Sequence, residues 1–93
     1  MMNQKKQMIK LVEVSRDRYS DVFHLREIIV NSAHIVSIRD DNETAGYHAN
    51  GLLPEGLHEA QQFSKVTFTN GKEITAVGTP QAIGKKTKNI LHG

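Results

Sequence analysis

The residues best suited to chemistry in this 93-residue chain are its five histidines. They are His24, His34, His48, His58 and His92. Zinc sites usually combine two closely spaced pairs of ligands, and these histidines show no such spacing. His48 and His58 share a segment with Asp40 and Asp41, which leaves a weak metal site open there, although surface histidines are the simpler interpretation. The chain has no cysteine, so we expect no thiolate metal site and no disulfide. We also expect no cofactor, because the few aromatic residues indicate a thin core without a large cavity.

Residues 78–87 (GTPQAIGKKT) look like a phosphate-binding loop but do not satisfy the motif. That motif needs four residues between its glycines and a Ser or Thr directly after the Gly-Lys pair. Here five residues separate Gly78 from Gly84, and Lys86 follows Lys85. Ser, His and Asp are also present, but nothing in their spacing indicates a nucleophilic triad. We therefore expect a protein that is not an enzyme.

Composition indicates one small domain with a thin core. Apolar residues make up 38% of the chain, with two tyrosines, three phenylalanines and no tryptophan. No segment approaches the roughly 18 consecutive apolar residues of a membrane span. The N-terminal region also lacks an apolar stretch of signal-peptide length. We expect a cytoplasmic protein without membrane association.

The strongest local structural signal is a β-hairpin around Asn70-Gly71, because both residues tolerate the positive φ of a tight turn. Two registers are compatible with the turn. A three-residue loop with Gly71 in the left-handed bulge position pairs Val66 with Ile74 and gathers the apolar residues on one face. We prefer this register to a two-residue loop, because strand register follows the apolar pattern.

Three further strands are predicted at residues 8–14, 22–30 and 33–39, where β-branched residues recur. Asn31-Ser32 separates the last two, and the sequence leaves open whether this turn is a tight hairpin or a single helical turn. Thr79-Pro80 predicts the start of a helix, with Thr79 as its N-cap. Residues 1–7 are expected to be a disordered tail and residues 89–93 a frayed end.

Residues 40–64 form the one long segment without periodicity. Its first residues predict an acidic loop, and residues 54–63 predict a short helix that begins at Pro54. Loops of this length are usually functional or mobile. We therefore place the candidate protein-contact surface in this insertion, at Tyr47, His48, Leu52, Leu53, Leu57 and Phe63.

Basic residues near both ends of the chain give an alternative site. The net charge of +2 is too even a balance for an obligate polyanion binder. The terminal lysines would merge into one patch if the two ends lie together, although solvated ends are the simpler interpretation. The candidate nucleic-acid contacts are Lys5, Lys6, Lys10, Arg16, Arg18, Lys85, Lys86 and Lys88. Tyr19 and Tyr47 are the plausible base-stacking residues.

The order of these patterns resembles the small flagellar and swarming-motility protein family typified by FlbD. The matching residues are Met8-Ile9-Lys10-Leu11, Val30-Asn31, Ile35, Ile38, Val66-Thr67, Asn70-Gly71-Lys72, Ile74, Val77 and Ile83. They cover about half of the chain, and the insertion at residues 40–64 and Gly78-Thr79-Pro80 depart from the family pattern. The resemblance implies an accessory protein that acts through protein contacts, with no catalytic residues.

Together these patterns predict an α+β domain at residues 8–88. We expect a small curved antiparallel sheet or open barrel of about five strands, with one or two short helices. The expected function is that of a non-catalytic adaptor or regulator acting through protein contacts, with a homodimer as one form. A small sheet leaves edge strands that must be covered or paired. The alternative is a nucleic-acid-binding regulator that uses its basic termini.

Overall fold

The computed structural model describes residues 7–92, with side chains described as far as Thr87. Its strands are β1 (Met8–Arg16), β2 (Phe23–Asn31), β3 (Ile35–Asp40), β4 (Phe63–Phe68) and β5 (Glu73–Val77). Its α-helices are α1 (Asn42–Ala49) and α2 (Pro80–His92). The predicted tail at residues 1–7 and frayed end at residues 89–93 fall largely outside the described residues and side chains.

The five strands form a single sheet in the order β2-β1-β5-β4-β3, and every neighbouring pair is antiparallel. This confirms the predicted α+β fold with a small antiparallel sheet. β1 and β2 pair along their whole length, but β1 meets β5 only at Glu13 with Ala76 and Val14 with Thr75. The sheet therefore has two parts, the β1–β2 hairpin and the β3–β4–β5 meander. A short ladder between β1 and β5 joins them.

The β4–β5 hairpin has the predicted bulged register. Val66 lies opposite Ile74, and Gly71 has a φ of 87°. The N–H of Phe68 donates to the carbonyl of Lys72 at 2.9 Å, and the N–H of Gly71 donates to the carbonyl of Phe68 at 2.8 Å. Residues 69–71 thus form the loop, which sets the apolar side chains of both strands on one face.

A short 3-10 turn, Ser32–His34, connects β2 to β3. The side chain of Asn31 caps this turn by accepting the N–H of Ala33 at 2.9 Å. β2 and β3 are not paired with each other, because they lie at the two opposite edges of the sheet. The turn that the sequence left open is therefore a single helical turn, and it requires a strongly curved sheet.

The core consists of two clusters of buried side chains on opposite faces of the sheet. The first cluster contains Ile9, Leu11, Val66, Ala76 and Ile83. The second contains Val14, Phe23, Leu53 and Phe63. Successive side chains of a strand point to opposite faces, which places Phe63 and Val66 of β4 in different clusters. Ile83 of α2 covers the first face, and α1 with residues 50–62 covers part of the second.

The prediction of a helix at residues 54–63 was wrong. The prediction of an acidic loop at the start of the insertion, residues 40–64, was also wrong. The helix of this insertion is α1, and Asp41 is its N-cap, accepting the N–H of Thr44 at 3.0 Å. Residues 54–62 are turns and irregular chain. Gly56 has a φ of 104°, which is incompatible with a right-handed helix.

The helix start predicted at Thr79-Pro80 is confirmed. The hydroxyl of Thr79 accepts the N–H of Ala82 at 3.0 Å, and Pro80 is the first residue of α2. Proline suits this position because its missing N–H would have no partner within the helix.

Candidate protein-interaction surface

An arginine stacked on two aromatic rings lies where β1 ends. The guanidinium carbon of Arg16 is 5.1 Å from the ring centre of Phe23 and 5.5 Å from that of Tyr47. The two rings are themselves 5.3 Å apart and tilted. Arginine is attracted to aromatic faces by the ring quadrupole. The stack therefore joins β1, β2 and α1 at one end of the sheet.

Two polar contacts orient this stack. Arg16 Nη2 lies 3.1 Å from Asp21 Oδ1, and the hydroxyl of Tyr47 donates to Glu43 Oε2 at 2.9 Å. Ion pairs as exposed as this one contribute little to stability. The two contacts instead orient the side chains, because the guanidinium of Arg16 and the phenol of Tyr47 each have a hydrogen-bonding or charged partner.

The two segments that contribute Arg16 and Tyr47 to the stack also carry exposed apolar side chains. The exposed fraction is 89% for Tyr19, 48% for Val22 and 56% for Leu52. Tyr19 and Val22 belong to the β1–β2 turn, and the N–H of Leu52 donates to the carbonyl of Tyr47 at 3.0 Å. We call Arg16, Tyr19, Val22, Tyr47 and Leu52 the turn–helix surface. It combines residues from two segments far apart in the sequence.

The β1–β2 turn is held in place by its own hydrogen bonds. The N–H of Asp17 donates to the carbonyl of Val22 at 2.8 Å, and the N–H of Tyr19 donates to Asp17 Oδ1 at 2.9 Å. The bond from Tyr19, followed by that from the Ser20 hydroxyl, lowers the pKa of Asp17 below its usual range. The exposed Tyr19 ring is thus presented on an ordered turn.

α1 is attached to the sheet by the buried carboxylate of Asp41, which is 5% exposed. Asp41 Oδ2 accepts the hydroxyls of Thr44 and Thr75, each at 2.9 Å, and lies 4.0 Å from Lys65 Nζ. Burial acts to raise the pKa of Asp41, but the hydrogen bonds from Thr44 and Thr75, aided by the Lys65 charge, outweigh it and lower the pKa. The ionised carboxylate therefore fixes α1, and with it Tyr47, against β5.

Two residues of the predicted contact surface are buried in the structure. Leu53 and Phe63 are only 8% and 1% exposed, since they fill the second core cluster and are unavailable to a partner. Tyr47, His48 and Leu57 are half-buried beside them. The sequence could not separate the residues of this segment that cover the sheet from those that are exposed.

His48 has a structural position between α1 and the loop that follows. Its Nε2 lies 2.8 Å from the carbonyl oxygen of His58, and its ring meets that of Phe63 edge-on at 5.7 Å. His58 Nδ1 in turn accepts the N–H of Ala60 at 3.0 Å. Among the side chains that the structure describes, no cluster of three or more His, Asp or Glu residues is arranged to hold a metal ion.

The predicted nucleic-acid contacts fall into two separate places. Lys86 Nζ donates to the backbone carbonyl of Lys10 at 3.0 Å, which brings α2 beside β1. Arg16 lies six residues further along β1, about 20 Å away at the rise of a β-strand. Arg18 is exposed in the turn beyond it. Lys5, Lys6 and the side chain of Lys88 lie outside the described parts of the chain.

Comparisons with protein-family models, curated proteins and solved structures found no match to this chain. The resemblance to the FlbD family therefore stays a prediction. None of the helices that the structure describes has the length and apolar character needed to cross a membrane.

Proposed function

We propose that this protein is a non-catalytic adaptor or regulator that binds another protein through the turn–helix surface. The observation that carries the proposal is the exposure of Tyr19, Val22 and Leu52 in the same two segments that contribute the stack of Arg16 and Tyr47. Tyrosine and arginine are enriched among the residues that dominate protein interfaces. A soluble cytoplasmic setting belongs to the same proposal, and a chain without cysteine is compatible with it.

The order of this surface supports binding. Ordering side chains at an interface costs free energy, which a surface that is already fixed avoids in part. Arg16 has both an aromatic platform and the Asp21 carboxylate, and Tyr47 has Glu43 as its hydrogen-bond partner. Tyr19, which is 89% exposed, presents its ring to solvent, and only two side-chain torsions need to be fixed when it binds.

The alternative proposal, a nucleic-acid-binding regulator, is favoured by the contact of Lys86 with Lys10. Phosphate binding requires an excess of positive charge. Lys10, however, lies 3.8 Å from Glu27, and Arg16 has Asp21 and Asp17 in its own turn. This mixture of charges favours a protein partner over nucleic acid.

Affinity capture with three forms of the protein tests the first proposal. The forms are the wild type, the double variant Tyr19→Ser with Leu52→Ser, and the control Val36→Ser, which removes an apolar side chain exposed to 60% on β3. We expect a protein from the native cell extract to be retained by the wild type and the control but lost with the double variant. Equal retention by all three forms would contradict the proposed surface.

Fluorescence anisotropy with labelled single-stranded RNA and duplex DNA tests the alternative. Binding through lysines should weaken steeply as salt increases and should be reduced by Lys85→Gln with Lys86→Gln. Absence of binding at low salt would exclude nucleic acid as the partner.

A further inference from the structure

β2 is a long, regular strand at one edge of the sheet. All nine of its residues pair with β1 without a shift of register. β3, at the other edge, has an irregularity between Ile35 and Ser37 and packs against α2. Strand addition requires a regular edge, so β2 is the edge that is suited to it.

The outer hydrogen-bonding groups of β2 can be assigned from the ladder. The N–H of Asp17 donates to the carbonyl of Val22 at 2.8 Å, so Val22 directs its backbone groups toward β1. These groups alternate in direction along an antiparallel strand. Leu25, Glu27 and Ile29 therefore direct their N–H and carbonyl groups away from β1, and no other strand of the described residues pairs with that side.

The usual protection of an edge strand is weak on β2. Charged side chains and prolines on an edge strand hinder the addition of a second strand. Arg26 Nε lies 2.9 Å from Glu13 Oε1, and Glu27 Oε1 lies 3.8 Å from Lys10 Nζ, so both charges of β2 already have partners on β1. The strand contains no proline, and Ile29 is 63% exposed.

We propose that β2 pairs with β2 of a second copy of this chain, antiparallel and about a two-fold axis that passes beside Ile28. A two-fold axis makes the contact self-complementary and closed. Centring it on Arg26 or Glu27 would set like charges directly opposite each other, which is unfavourable. Among the centres that avoid this, Ile28 gives the longest overlap, from Leu25 to Asn31. Ile29 then faces Glu27 of the second copy.

The β2 edge would then be the contact surface of the homodimer that we expect together with the adaptor function. It does not use the turn–helix surface, so the dimer and the partner contact can fail independently. Loss of the dimer with intact capture of a partner would leave the proposed function standing. Loss of capture by the Tyr19 and Leu52 variant with an unchanged dimer would leave the β2 interface standing.

Light scattering over a range of concentrations tests the dimer with a matched pair of variants. Ile29→Pro removes an outward N–H, which an edge strand tolerates, whereas Ile29→Thr keeps it. We expect the wild type to dimerise reversibly. Each of the two chains carries the substitution, so Ile29→Pro removes two hydrogen bonds from the interface. Its dissociation constant should therefore be at least about tenfold higher than that of Ile29→Thr. Circular dichroism confirms the folding of each variant. A wild type that is monomeric at every concentration, or equal dimerisation of the two variants, would overturn the proposal.

Disulfide trapping tests the register, because the natural chain has no cysteine to interfere. Ile28→Cys places two thiols opposite each other at the axis, within reach of a disulfide. Arg26→Cys on the same strand places them about 13 Å apart along the strands. We expect oxidation to link the first variant as a dimer and leave the second unlinked. Equal linking of both, or of neither, would overturn the Ile28-centred register.

Discussion

Asp41 shows how one side chain can determine the placement of a helix. Its carboxylate caps α1 through the N–H of Thr44 and reaches across to the hydroxyl of Thr75 on β5. The sequence predicted a solvated acidic loop at this position, because adjacent aspartates are usually exposed. Burial depends on which strands and helices surround the residue, and that information is not local.

Replacing Asp41 tests the strength of this attachment. In the amide an NH2 group, which cannot accept, replaces one carboxylate oxygen, so either the N–H of Thr44 or the two threonine hydroxyls lose their acceptor. We expect Asp41→Asn to lower the free energy of unfolding by about 1–3 kcal/mol, as measured by urea denaturation. Asp40→Asn, at the neighbouring exposed position, is the control and should change it by less than about 0.5 kcal/mol. Equal effects of the two substitutions would contradict the attachment.

The same carboxylate should make stability depend on pH. Because the pKa of Asp41 is lower in the folded protein than in the unfolded chain, the unfolded chain binds more protons in acid. The contribution of Asp41 is therefore complete above its unfolded pKa, near 3.8, and is lost as the pH falls through the folded value. Urea denaturation between pH 7 and pH 2.5 should show a smaller acid loss for Asp41→Asn than for the wild type. Parallel curves would show that Asp41 is not responsible.

At the scale of elements, the sequence predicted what is local. The register of the β4–β5 hairpin follows from Asn70-Gly71 and the alternation of apolar residues, and the start of α2 follows from Thr79-Pro80. α1 was missed because its sequence, NETAGYHA, has no apolar periodicity. The signals that could have found it are the capping residue Asp41 before it and Gly51 just after its end, with a φ of 77°.

Two glycine substitutions should change stability in opposite directions. Gly71 has a φ of 87° in the hairpin loop, where alanine is strained, so Gly71→Ala should cost about 1–2 kcal/mol. Gly46 lies inside α1 with open space around its Cα, so Gly46→Ala should stabilise by about 0.5–1 kcal/mol. Thermal denaturation of both variants measures the two effects. A shift of the same sign in both would contradict either the bulged turn or the position of α1.

Ile83 is the buried residue through which the described part of α2 contacts the core. It is 1% exposed and belongs to the first cluster with Leu11 and Val66. We expect Ile83→Ala to lower the free energy of unfolding by about 2–5 kcal/mol, because it leaves a cavity and removes the anchor of the helix. The exposed Gln81→Ala on the same helix is the control. Urea midpoints distinguish them, and equal midpoints would contradict the packing of α2.

At the scale of the whole molecule, strand order was the part that the sequence could not supply. β1 and β5 are joined by only two residue pairs between segments that are far apart in the chain. Nothing in the local pattern of either strand indicates that contact. The same limit applies to the turn–helix surface, since Arg16 and Tyr47 meet only because α1 folds back over the end of β1. The pairing of Arg16 with Phe23, in contrast, lies within the β1–β2 hairpin, whose two strands are neighbours in the chain.

Photo-crosslinking in living cells tests the proposed partner contact most directly. A photoreactive phenylalanine analogue would replace Tyr19 on the turn–helix surface, and in a control would replace the exposed Thr69 in the distant β4–β5 loop. We expect the probe at position 19 to link the chain to a distinct protein partner, and the probe at position 69 not to link to it. Linking to nucleic acid at position 19, or the same products from both positions, would contradict the proposal that this surface binds a protein.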